Sequence, residues 1–180
     1  ALAVNPASAQ TGSKLAYILP DQAGRQGVQV VALDTGSVVV GMPGTEQKVR
    51  NLVWADPQHL IVMKSQTGQA FGVESARGEW TMAQVVDIAK RKGAPLLNAE
   101  VSSGTERARI KSGTPMIMNI IAGEPQPRTV GGQTLIYVRG VAFRDRMGVP
   151  TLFAVVLARH SQDRIDSGLT GQDRDWIVDA

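Results

Sequence analysis

Short alternating or apolar runs recur along this chain, each entered by a polar residue and left by a turn. "KLAYI" begins at Lys14, "HLIVM" at His59 and "TLIYV" at Thr134. Each is followed by a second run: "VQVVALD", "AQVVDIA" and "LFAVVLA". A third run follows, as "SVVVGM", "APLLNA" and "QDRIDSG". One more run, "VRNLVWA" or "MIMNIIA", precedes the second and third copies, and "ALAVNPA" fills that place before the first. Side chains two apart share a strand face, so these runs predict strands that turn a face toward a core. Turn formers separate them. "LDTGS" joins an Asp that can bond nearby backbone to a Gly that accepts positive φ, and "ADPQ" sets Pro after Asp. Such spacing predicts consecutive antiparallel hairpins.

One stretch reads two ways. Met82, Val85, Val86 and Ala89 have helical spacing, yet the same residues align with the second strand of the other copies. The repeat favours strand, with helix as the alternative over 80–92. "QTGQAFGVESARGEW", polar and rich in Gly, is predicted to be a long loop, and "RDRMG" a shorter one.

The predicted unit is thus four consecutive strands, with length variation confined to loops, as in the blades of a β-propeller. The expectation is an all-β fold: a partial β-propeller of about three four-stranded blades over 1–44, 45–100 and 110–168. The segment 173–180, "DRDWIVDA", would open a fourth. Propellers close with roughly four to eight blades, and an open arc exposes two sheet edges. The chain is therefore expected to be part of a larger polypeptide.

Composition narrows the chemistry. Of 180 residues, 43% are hydrophobic but only 4% aromatic, so the core must be built mainly from aliphatic side chains. The net charge is +3, and the basic residues lie scattered among acids in pieces such as "AKRKG" and "FRDRMG". No cationic stripe with interleaved aromatics marks a nucleic-acid surface, so no nucleic-acid partner is expected. The absence of cysteine removes disulfides, thiolate metal sites and a Cys nucleophile. No apolar run approaches the roughly 20 residues a membrane-crossing helix needs, and no membrane partner is expected. "ALAVNPASAQ" lacks the basic start and long apolar stretch of an intact signal peptide. The compartment stays open between a bacterial-type periplasm, the preferred of the two, and the cytoplasm.

Catalytic motifs are missing. No G-x-S-x-G pentapeptide occurs, and "GMPGTEQK" lacks the ending of a phosphate loop. Only His59 and His160 could act as an imidazole base. His59 stands where the other copies carry Lys14 and Thr134, a solvent-edge position, and His160 falls in a predicted hairpin turn. Two histidines without cysteine cannot close a zinc site. The carboxylate pairs Glu100 with Glu106 and Glu74 with Glu79 fall in polar stretches and read as solvated charge. The expectation is no catalytic residue, no metal and no cofactor. The loops after the "KLAYI"-type strands would emerge on one face of a propeller, where binding residues concentrate. Arg77 and Trp80 from one loop, and Arg144 and Arg146 from another, are the candidates for contact with a substrate or an adjoining domain.

"TGSKLAYILPDQAGRQGVQVVALDTG" resembles the propeller phrases of prolyl oligopeptidase family serine peptidases of the dipeptidyl aminopeptidase/acylaminoacyl-peptidase type. "VRNLVWADPQHLIV" is similar to their next phrase and "DRDWIVDA" to the start of a further blade. The Pro-Asp-Gly that commonly opens the phrase is replaced here by "NPASAQTG". Lasso-peptide isopeptidases are one subgroup with this architecture. The resemblance implies a propeller that gates or positions peptide substrates for a C-terminal α/β-hydrolase domain bearing Ser, Asp and His. That domain is not in this sequence, so no catalytic residue carries over. The competing readings are a non-enzymatic propeller that binds protein partners and a self-sufficient β domain.

Overall fold

The computed structural model describes residues 12–68, 77–97, 116–144, 147–159 and 161–167. These residues are all-β, with antiparallel strands, a single 3₁₀ turn at Leu157–Arg159 and no α-helix. The sheets are open. The chain divides into two units, 1–94 and 95–180.

The first unit holds two sheets. In one, β1 (Lys14–Pro20), β2 (Gln26–Ala32) and β3 (Val38–Met42) lie in the order β1-β2-β3. In the other, β4 (Lys48–Asp56), β5 (His59–Gly68), β6 (Gly78–Asp87) and β7 (Lys92–Pro95) follow in sequence. Both are meanders of antiparallel neighbours, and two of the turns show the chemistry that closes them. The Asp21 carboxylate accepts from the backbone N–H groups of Ala23 and Arg25 and so closes β1 onto β2. The Asp56 carboxylate accepts from Gln58 and His59 around Pro57, closing β4 onto β5.

Register explains the core. Ala16 faces Val30, which faces Val40, while Ile18, Val28 and Met42 form the next row. In the second sheet, Trp54, Leu60 and Val86 form one row and Leu52, Val62 and Gln84 another. These apolar side chains, with Val49 and Ile88, share one buried cluster. The period-two pattern thus places whole rows, rather than single residues, out of water. β5 is buried on both faces, since Ile61 and Met63 are buried as well as Leu60 and Val62. That is why "HLIVM" reads as a continuous apolar run.

The second unit holds β8 (Met116–Ile121), β9 (Gln126–Val130), β10 (Gln133–Arg144), β11 (Met147–Val156) and β12 (Ser161–Ser167). The sheet order is β12-β11-β10-β8, with β9 also on β10. β9 pairs with Gln133 to Tyr137, and β8 with Gly140 to Phe143. Both lie on the same edge of β10. Between them Ala122 makes two hydrogen bonds to Arg139: its N–H donates to the Arg139 carbonyl at 2.9 Å, and its carbonyl accepts from the Arg139 side-chain Nε at 3.0 Å. β8 and β9 therefore act as one interrupted strand, and the sheet keeps four lanes.

Several expectations change. β9 was not anticipated within "GEPQPRTV"; it forms because the long β10 offers free edge to pair with. The predicted long loop after β5 is shorter, because β5 and β6 stay paired out to Gly68 opposite Gly78. The stretch 80–92 is strand through Asp87, not helix. β7 ends at Pro95, so Leu96 and Leu97 are buried beyond a strand rather than within one. The predicted strands "ALAVNPA" and 173–180 lie outside the described residues.

Candidate functional site

The predicted contact residues fall on different elements. Trp80 lies on β6, half-buried, and its indole N–H donates to the Gly68 carbonyl at 2.8 Å, fastening the open end of the β5–β6 hairpin. Arg77 is exposed just ahead of β6 and makes no ion pair among the described residues. Arg144 is the last residue of β10, opposite Met147, and belongs to the other unit. Arg146, Phe71, Glu74, Glu100, Glu106 and His160 lie outside the described residues.

Beside Trp80 sits a cluster that the spacing did not suggest. Arg50 of β4, Ser65 of β5 and Glu79 of β6 meet across three strands. Arg50 Nε donates to Ser65 Oγ and Ser65 Oγ donates to Glu79 Oε1, both at 2.7 Å, while Arg50 Nη2 also pairs with Glu79. Ser65 is only 1% exposed, so its hydroxyl needs these partners. The Ser65 hydrogen bond, then Arg50, holds the Glu79 carboxyl below its usual 4.5. A serine that donates to a carboxylate and accepts from a guanidinium has no free base to activate it. The cluster is a clasp across the sheet.

His59 departs from the solvent-edge expectation, because its side chain is 23% exposed. Its Nδ1 donates to the Asp56 carboxylate at 2.8 Å, which as an acceptor fixes the tautomer. Nε2 faces Asp87 Oδ2 at 3.9 Å, and Lys90 Nζ lies 2.9 Å from the same oxygen. Lys90, through its side chain and its backbone N–H, holds the Asp87 carboxyl below its usual 3.8, with His59 adding to the effect. A His–Asp pair could orient a base, but the outer ring nitrogen meets a second carboxylate rather than a nucleophile. The β4–β5 turn is tied to the end of β6 by the backbone, where the Ile88 N–H donates to the Gln58 carbonyl at 2.8 Å. Among the described residues, no three His, Asp or Glu side chains are grouped to hold a metal ion.

The remaining feature is a cleft of about 360 Å³ at the margin of the first unit's core. One wall is the whole of β3, from Val38 to Met42; the other is Gln84 and Val86 of β6 with Arg91 and Gly93. Successive side chains of a strand point to opposite faces. A cavity that touches all five residues of β3 must therefore run along its edge. Arg91 adopts φ 54° in the β6–β7 turn. Gly93 comes so close to the Gln84 amide that a Cβ there would collide with it. Nothing in "AKRKG" shows that Arg91 would line a groove, since that depends on how two sheets face each other.

No family model, no curated protein and no solved structure matches this chain.

Proposed function

We propose that the chain is a β-propeller segment that gates or positions peptide substrates for an α/β-hydrolase domain of a serine peptidase, of the prolyl oligopeptidase family type. The observation that carries the reading is the recurrence of one meander: β1, β5 and β10 hold equivalent places, as do β2, β6 and β11, and β3, β7 and β12. Burial of β5 on both faces suits an inner strand of stacked sheets. The blade phrases supply the link to peptidases. The polar clusters are closed on themselves, which suits a scaffold whose chemistry lies elsewhere. A fluorophosphonate probe, applied to the polypeptide expressed from its complete reading frame, tests this. Labelling of a serine in a downstream G-x-S-x-G is the expected result. A frame with no such motif, and no labelling, overturns it.

A second reading is a non-enzymatic propeller that binds protein partners. It is favoured by the same closed clusters, and it predicts an unlabelled polypeptide whose frame encodes propeller sheets alone.

A further inference from the structure

Among the described residues of the first unit, four strands stand at sheet edges: β1 and β3 in one sheet, β4 and β7 in the other. Exposed edges invite further strand pairing, and proteins guard them with charge or proline. β1 carries Lys14 and Pro20, β4 carries Lys48, Arg50 and Asp56, and β7 carries Lys92 and Pro95. β3, "VVVGM", among these described edges, has neither a charge nor a proline. Its side away from β2 has no strand partner among the described residues and borders the cleft. Val38 is 54% exposed, and nothing lies within 4 Å of where a Cβ on Gly41 would stand. Across the gap Arg91 makes no ion pair among the described residues, and the exposed Lys90 and Lys92 flank it.

We propose that the β3 edge and Arg91 form a docking groove for an extended, acidic peptide strand of a partner protein. The backbone of β3 supplies ladder hydrogen bonds, and the apolar walls at Val38, Met42 and Val86 take alternate side chains. Arg91 pairs with a carboxylate on the incoming strand. This is recognition by strand addition, in which main-chain bonds give affinity and side-chain sites give specificity. The volume is at the low end of the roughly 300–1,000 Å³ of ligand clefts, which suits a few side chains of a strand rather than a compact ligand. Charge selects the occupant. A second copy of this chain would bring β3 to the groove, and β3 has no carboxylate to meet Arg91. The proposal does not depend on the peptidase reading.

The test is fluorescence anisotropy on the 180-residue chain with a labelled, alternating Val-Glu hexapeptide. Saturable binding is expected. The matching Val-Lys peptide should not bind, and N-methylation of alternate amides in one of the two registers should abolish binding. Arg91→Glu should weaken binding by about tenfold or more, through loss of one charge pair and the new repulsion. Circular dichroism reports whether that variant folds; if it does not, the peptide comparisons on the unmodified chain still decide. Absence of saturable binding overturns the proposal. So does equal binding of the Val-Lys or N-methylated peptides. A dimer in sedimentation velocity that persists in Arg91→Glu also overturns it, because a second copy then occupies the edge.

Discussion

Gly140 lies in β10 where a Cβ would stand 2.6 Å from Leu97 Cδ1 and 3.0 Å from Phe153 Cε2. Space rather than backbone conformation demands glycine there. Gly140→Val should lower stability by about 1–3 kcal/mol through overpacking, with Gly140→Ala milder, as thermal melting would record. Lys64 shows the opposite case. It continues the core-facing column of Leu60 and Val62, and burial lowers its ammonium below the usual 10.5. Its head reaches Gln84 Oε1 at 3.4 Å, with no carboxylate ion pair among the described residues. Lys64→Met should raise stability by about 0.5–1 kcal/mol, seen as a higher urea midpoint with an unchanged slope. In the Arg50–Ser65–Glu79 clasp, Ser65→Ala should raise the Glu79 carboxyl toward 4.5 in an NMR titration. Arg50→Gln should move it in the same direction, because Arg50 lowers the carboxyl both by its hydrogen bond and by its charge. None of these three roles is legible from neighbours in sequence: Arg50, Ser65 and Glu79 become neighbours only through strand register.

At the scale of elements, the turn between β9 and β10 is two residues, Gly131 and Gly132, with φ 57° and 74°. Two positive values are what a type I′ hairpin turn requires. Nothing lies within 4 Å of where their Cβ atoms would stand, so any cost of substitution comes from the backbone alone. Gly131→Val should cost about 1–2 kcal/mol and loosen β9, which amide hydrogen exchange in 126–130 would report. β9 itself was not readable as a strand. "QPRTV" has no alternation and begins beside prolines; pairing to β10 makes it a strand. The β5–β6 hairpin extends for the same reason, since Gln66, Thr67 and Glu79 are polar residues held by cross-strand bonds. In Met82 to Ala89 helical spacing and strand repeat competed. The free edge of β5 favours strand, because each residue of β6 gains a ladder partner there.

For the whole molecule, acid stability follows from the carboxylates held below their usual values. Asp21, through the backbone N–H of Arg25 above all, joins Glu79 and Asp87 in this group. A depressed carboxyl contributes stability that is fully present above its unfolded value and lost as pH falls through the folded one. Chemical denaturation should therefore give a plateau above about pH 4.5 and a decline below it, since the unfolded values are 3.8 and 4.5. Glu79→Gln should reduce the slope of that decline. Lys64 acts at the other end: its ammonium is lowered by burial, so the unfolded chain binds the extra proton only between the folded value and 10.5, and the plateau gives way to a further rise with pH inside that alkaline window. A flat profile across the acid range would contradict the assignment of these three carboxylates.

Period-two alternation and turn residues, by themselves, determined that this chain is all-β and where the main strands lie, because both signals are local. They also placed most consecutive strands of a sheet side by side, since a turn brings the next strand back along the last; β8, which pairs with β10 rather than β9, is the exception. Only the tertiary structure decided which polar residues meet, which edges stay open and where the cleft forms. Register brings Arg50, Ser65 and Glu79 together, and the facing of two sheets sets Arg91 across from β3. Those relations join residues far apart along the chain, and no local pattern encodes the distance between them.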